Sequence, residues 1–216
     1  MRQIIPKTLA ITCLALATHA AAAAQDTDPA ALARVERYLD QVETLKAEFS
    51  QEVVDRDGTI REQAEGVLYL QKPGRFRWDY RAPLEQQLVS DGKNVWLYDV
   101  ELEQVTVREV GESLSTTPAM LLSGQGKVAD SFSVAGGESA DGLDWILLTP
   151  IREETDFRVV RLGFRGRELE RMELEDRLGQ TARIRFSSIE RNLRLSPGLF
   201  EFEPPPGVDV VGSRAH

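Results

Sequence analysis

Between Leu70 and Val107 the apolar and polar residues alternate with a period of two. Phe76, Trp78 and Tyr80 fall on one face of an extended segment, and Arg75, Arg77 and Asp79 fall on the other. Val95-Trp96-Leu97-Tyr98 repeats the theme with apolar groups on both faces. The Asp91-Gly92 pair between them supplies the positive φ of a tight hairpin. Pro73-Gly74 and Ala82-Pro83 punctuate the run on either side of the Trp78 strand. The pattern predicts a meander of antiparallel strands with one strongly aromatic face.

The same reading extends in both directions. Asp28-Pro29 has the form of a helix start, and Leu32, Val35, Leu39 and Val42 make an apolar stripe at helical spacing. Near Leu45 the period becomes two, which ends the helix near Thr44 and begins a strand that Asp57-Gly58 turns back into Gly66 to Leu70. A further strand centres on Gln104 to Val107. Ser113 to Gly126 changes character. Thr117-Pro118 marks a second capped start, but Ala119-Met120-Leu121-Leu122 is too short to be a stable helix alone, so it must lie on the aromatic sheet as a lid.

Strands resume at Ser131 to Val134, Asp144 to Thr149, Phe157 to Phe164, Glu168 to Leu174 and Thr181 to Phe186, with turns at Gly136-Gly137, Arg165-Gly166 and Leu178-Gly179. A last strand is expected at Leu199 to Phe202, after which Pro204-Pro205-Pro206 ends regular pairing. With about eleven strands, short connections and few helices, the expected fold is mainly β (α+β). It is an incompletely closed antiparallel β-barrel with a short helical lid.

The first 24 residues read as a secretory signal peptide. Arg2 and Lys7 precede the apolar stretch Leu9 to Ala17, and Ala20 to Ala24 offers small residues for cleavage. Residues 25–216 then form a single domain. Cys13 lies inside the apolar stretch and follows Ala10-Ile11-Thr12, which is no lipoprotein-processing triplet, so the mature chain is expected to have no cysteine, disulfide or membrane anchor. Net charge is −9 over the whole chain, and −11 without Arg2 and Lys7. Such a balance argues against nucleic acid as a partner and against adsorption to anionic lipid. The tail from Gly212 to His216 is expected to be disordered, and a monomer is expected.

The body of the protein has neither histidine nor cysteine, since His19 leaves with the leader and His216 is the last residue. Ser/His/Asp and Cys/His catalysis and typical zinc ligation are therefore excluded, and neither metal nor cofactor is expected. Gly124-Gln125-Gly126-Lys127 follows no strand and lacks the hydroxyl residue of a phosphate loop. Carboxylates are plentiful enough for a secreted carboxylate-dependent hydrolase, the alternative from another class. Most of them, such as Glu168, Glu170 and Glu173, sit on exposed strand faces or in turns.

Several segments carry a family resemblance in order and spacing. Lys72-Pro73-Gly74-Arg75-Phe76-Arg77-Trp78, Val89-Ser90-Asp91-Gly92 with Trp96-Leu97-Tyr98-Asp99, Glu103-Gln104-Val105, Thr117 to Leu122, and Phe200 to Val208 together resemble the periplasmic outer-membrane lipoprotein carrier proteins, the LolA family of lipoprotein-sorting chaperones. The resemblance implies a barrel with a helical lid and no enzymatic activity. It also implies that the chain carries acylated lipoproteins through the periplasm from an inner-membrane ATP-binding-cassette release complex to an outer-membrane receptor. That receptor is itself an alternative reading, disfavoured by the missing lipoprotein cysteine, and a sensor of related fold would need a second domain.

Burying acyl chains is worth roughly 0.8 kcal/mol per methylene, so a carrier must shield them, yet reversibly. Leu39, Phe76, Trp78, Leu88, Trp96, Met120, Leu121 and Leu122 are the candidate lipid contacts. Lys72 is the candidate lid latch. The family pattern places an arginine there, bonding lid backbone to hold the empty state closed, whereas lysine offers a point charge instead of a planar fork.

Overall fold

The structure, a computed structural model, describes residues 27–110, 121–124, 126–152 and 155–214. The expected leader and most of the expected lid segment, Met120 included, lie outside the described residues. Helix α1 runs from Pro29 to Gln41, started by Asp28, whose Oδ1 accepts from the amides of Ala30 (2.8 Å) and Ala31 (3.3 Å). Those bonds satisfy two of the donors a helix start leaves free, and Pro29 has no amide proton to lose. The apolar stripe follows the expected spacing, with Ala31, Val35, Tyr38 and Leu39 buried.

Twelve strands follow. They are β1 (Thr44–Val54), β2 (Ile60–Gln71), β3 (Arg75–Ala82), β4 (Gln86–Asp91), β5 (Asn94–Asp99) and β6 (Gln104–Glu109), then, after a short helix α2 (Val128–Ser131), β7 (Phe132–Ala140), β8 (Leu143–Pro150), β9 (Phe157–Arg165), β10 (Glu168–Asp176), β11 (Thr181–Arg191) and β12 (Asp209–Gly212). They form one sheet in the order β12-β6-β5-β4-β3-β2-β1-β11-β10-β9-β8-β7, with β7 and β12 as free edges. The barrel is therefore incompletely closed, as the sequence pattern predicts.

Three details differ from that pattern. Leu199 to Phe202 is not a strand. Pro197 to Phe200 forms a 3-10 turn, because a proline with fixed φ suits the first turn of a helix. Pairing does not end at the prolines either. After a turn at Gly207 (φ +89°), β12 lies parallel to β6, the one parallel pair in the sheet. Gly136-Gly137 is not a turn but a register shift inside β7, where a side chain at Gly137 would press on Leu147 Cδ1 at 2.6 Å. The turn comes later, at Asp141 and Gly142, both left-handed (φ +55° and +72°), which is the geometry a two-residue hairpin needs.

The sheet curls strongly toward one face. β3 and β11 are three strand spacings apart, about 14 Å in a flat sheet. Yet the rings of Trp78 on β3 and Phe186 on β11 lie 6.3 Å apart. The inner face so formed joins residues of α1, β1 to β3 and β7 to β11 in one continuous apolar cluster. α1 lies across it. Asp28 donates its amide to Val134 O of β7 (2.7 Å), and Arg34 pairs with Asp144 of β8 (3.0 Å), bonds Gly166 O (2.9 Å) and covers the Phe164 ring. A helix of this length is unstable alone in water, so α1 is a helix because the sheet gives its apolar stripe somewhere to go.

The curl leaves one glycine no freedom. A Cβ at Gly66 of β2 would overlap the Asp79 carbonyl of β3 and press on Phe49 Cε1 at 2.8 Å, whereas one at Gly198 would meet nothing within 4 Å. Gly66→Ala is expected to lower stability by about 1–3 kcal/mol. Gly198→Ala should be close to neutral. Urea unfolding of both variants checks this, and equal midpoints would show that the β2–β3 approach is not tight.

Candidate functional site

Phe76 and Trp78 come together at the centre of the inner face, 0% and 1% exposed. Alternation along β3 puts them there with Tyr80, while Arg77 and Asp79 pair at 2.9 Å on the outer face. The Trp78 ring meets Phe49 edge-on at 5.2 Å and stacks near Tyr80 at 6.5 Å, and Phe49 meets Tyr80 edge-on at 5.1 Å. Burial pushes the Tyr80 hydroxyl up to about 12. Leu88, paired with Trp78 across β3–β4, is half-buried against the same cluster. Leu39 reaches the cluster from α1. Leu122 is buried in it, and Leu121 is packed against it.

Trp96 does not join this group. It belongs to a separate apolar cluster with Val105 and Val107, against which Tyr98, Phe202 and Val208 pack. Its register partners are Val89 and Val107, whereas the neighbouring Val95 faces inward with Ser90. The Trp96 face of β5 is thus the outer one, and the C-terminal segment covers it. The sequence expectation for Trp96 is corrected here: β5 is apolar on both faces, so alternation could not tell which face is inner. Trp96 leaves the candidate site, and Met120 falls outside the described residues.

Among the described residues the interior is closely packed. Under α1 lies an apolar void of only about 10 Å³, lined among others by Tyr38, Leu45, Leu122, Leu169 and Phe186. That is about the room of one water and far less than an acyl chain needs. Among the described residues the buried indole Nε1 atoms of Trp78, on the inner face, and of Trp96, on the outer one, both lack a hydrogen-bond partner. Among the described residues no group of three or more His, Cys, Asp or Glu side chains is placed to hold a metal ion.

The roof over this interior is held at its ends. The last carbonyls of a helix have no partners within it. Here Lys72 Nζ donates to Leu39 O, and Asn192 Nδ2 donates to Gln41 O at 2.9 Å. The Asn192 Oδ1 in turn accepts from the Glu43 amide (2.9 Å), and its own backbone amide bonds Thr44 O (2.8 Å). An ammonium at a helix C-terminus also meets the negative end of the macrodipole. Burial holds the Lys72 ammonium below its ordinary range, partly offset by the charge of Asp40. The Lys72 stem runs under Gly124, where any Cβ would strike its Cε at 2.8 Å, and the Gly74 amide bonds Ser123 O at 3.1 Å. One lysine thus touches both α1 and the segment at 121–124. Asn192 is the residue that sequence reading missed. The only signal was an asparagine at a strand end, a residue type that tolerates the left-handed φ of +58° found there.

Residues 40–203 match the family described as outer membrane lipoprotein carrier protein LolA. The outer-membrane lipoprotein carrier protein of Methylococcus capsulatus is 46% identical over 177 residues, covering 82% of this chain and 85% of its own. That of Dechloromonas aromatica is 42% identical over 212 residues, covering 97% and 98%. Among solved structures, a LolA superfamily protein from Nitrosomonas europaea is similar in fold, with a TM-score of 0.50 at 12% identity over 80% of this chain and 97% of that one.

If Lys72 holds the end of α1, Lys72→Met removes the charged donor and keeps the stem under Gly124. A lost charge-assisted bond at a half-buried site is worth about 1 kcal/mol, roughly fivefold in an equilibrium constant. Amide hydrogen exchange at residues 38–42 is expected to quicken by about that factor while the β9–β11 amides keep their protection. Unchanged exchange in α1 would show that Lys72 does not hold the helix.

Proposed function

The chain belongs to the family of outer-membrane lipoprotein carrier proteins, and we propose that it is a periplasmic chaperone carrying acylated lipoproteins from the inner to the outer membrane. It is a carrier, not an enzyme. The observation that supports the reading best is the contrast between the interior and its roof. The interior is aromatic and aliphatic, and it is roofed by one short helix whose described polar ties are a handful of bonds to β7, β8, the β9–β10 turn, Lys72 and Asn192. Acyl chains enter when α1 and the segment around Leu121-Leu122 lift. Their methylenes then replace the contacts that Leu39, Leu122, Phe76, Trp78 and Leu88 make with one another.

Reversibility follows from the same balance. Empty, the apolar groups cover themselves, so release does not leave them in water. Loaded, each buried methylene contributes roughly 0.8 kcal/mol. The unpaired indole N–H of Trp78 offers a donor for an ester carbonyl of the cargo, which an apolar pocket alone lacks. Lys72 serves as the latch that favours the closed, empty form. In this reading the protein receives cargo from an inner-membrane ATP-binding-cassette complex and hands it to an outer-membrane receptor.

Joining α1 to the sheet tests the reading. Cysteines at positions 34 and 144, whose native side chains pair at 3.0 Å, can be bridged in the mature chain by a short cleavable cross-linker. The cross-linked protein is expected to take up no acylated lipoprotein, and uptake should return after cleavage. Equal uptake before and after cleavage would show that cargo does not enter beneath α1.

A further inference from the structure

The two ends of the sheet differ in kind. At the end that carries the C-terminus of α1, the turns are Lys72-Pro73-Gly74, Gly92-Lys93, Asp141-Gly142 and Gly166-Arg167, without an exposed large apolar side chain among the described residues. At the opposite end, five turns each carry one in or beside the tip: Ile60 at β1–β2, Leu84 at β3–β4, Leu102 at β5–β6, Ile151 at β8–β9 and Leu178 at β10–β11. Leu102 and Leu178 are 71% and 76% exposed. Val210 and Val211 of the adjoining edge strand β12 extend the set, and among the described residues Leu97 is the one exposed large aliphatic residue elsewhere. Isolated surface leucines need no explanation, but here five neighbouring turns each set one large exposed aliphatic side chain among their polar residues.

The tips are also held in shape. Asp55 Oδ1 accepts from the Thr59 amide (2.9 Å), Asp99 Oδ1 from that of Leu102 (3.0 Å), and Asp176 Oδ1 from that of Gln180 (2.8 Å). A carboxylate at the end of the incoming strand thus fixes three of the five turns. Groups presented in a fixed geometry lose less freedom on contact, which suits a binding surface.

Building on the carrier reading, we infer that this aliphatic rim is a docking surface for a protein partner that presents basic groups around shallow apolar pockets. Charge selects the partner. The described residues of the five turns hold six carboxylates and three arginines, and they contain no lysine, tryptophan or tyrosine. A surface made to enter anionic lipid has the reverse composition, with cationic and aromatic anchors. The rim therefore faces away from bare membrane and toward a basic protein surface, such as a membrane-bound partner from which cargo is collected. It lies at the opposite end of the sheet from the Lys72 contact, on the side where Asp28 ties the start of α1 to Val134.

The double variant Leu102→Asp/Leu178→Asp in the mature protein tests this. It is expected to melt at an unchanged temperature and to bind a fluorescent fatty acid as the wild type does. It should collect acylated lipoprotein from inner-membrane vesicles at least about tenfold more slowly, and the wild-type rate should fall with added salt. Undiminished collection by the variant overturns the proposal. So does adsorption of the wild type, but not of the variant, to protein-free vesicles of phosphatidylethanolamine and phosphatidylglycerol, which would assign the rim to lipid. A wild type that collects nothing overturns the carrier reading itself, whereas collection by wild type and variant alike sinks the rim alone.

Discussion

An open sheet with one apolar face has to cover that face or lose it to aggregation. Everything else in this protein follows from how that is solved. Twelve strands curl until Trp78 and Phe186, three strand spacings apart in the ladder, bring their rings within 6.3 Å. The sheet thus covers much of its own inner face, and the thirteen residues of α1, together with Leu121 and Leu122, cover more of it. Full closure of the barrel would have sealed the interior for good. Leaving β7 and β12 unpaired keeps one side of the enclosure separate from the hydrogen-bond ladder.

Two kinds of bonding therefore coexist. The wall is a continuous ladder in which each inner strand pairs on both sides, and it cannot open without breaking many backbone bonds at once. The roof is a short helix that owes its own structure to docking, and its ends are held by Asp28, Arg34, Lys72 and Asn192. Elements that move are drawn from the less stable parts of a fold, and here the difference is built into the architecture. The aromatic groups serve in both states, against one another when the protein is empty and against cargo when it is loaded. The 10 Å³ void under α1 fits the first state.

Much of this was legible in the sequence where one face of a segment is polar. Phe76, Trp78 and Tyr80 alternate with Arg75, Arg77 and Asp79, so their common face and its burial could be read directly. The start of α1 was equally plain from Asp28-Pro29. β5 was not, because Val95-Trp96-Leu97-Tyr98 is apolar on both sides, and the cover over Trp96 comes from Phe202 and Val208, more than a hundred residues later. β12 was hidden because a strand of four exposed residues has no pattern of its own and exists by pairing with β6. Asn192 carried no mark either. Its role depends on the β11 end arriving beside the end of α1, which is a matter of long-range register and not of local composition.

The central claim is that one apolar interior is a packed core when empty and a cavity when loaded, with α1 as the moving part. The most direct measurement is the distance between spin labels at position 33, on the solvent side of α1, and position 185, on the outer face of β11, with and without a synthetic triacylated lipopeptide. The account predicts that the distance lengthens on addition of the lipopeptide and stays the same with the unacylated peptide. Tight binding of the lipopeptide with no change in that distance would contradict it.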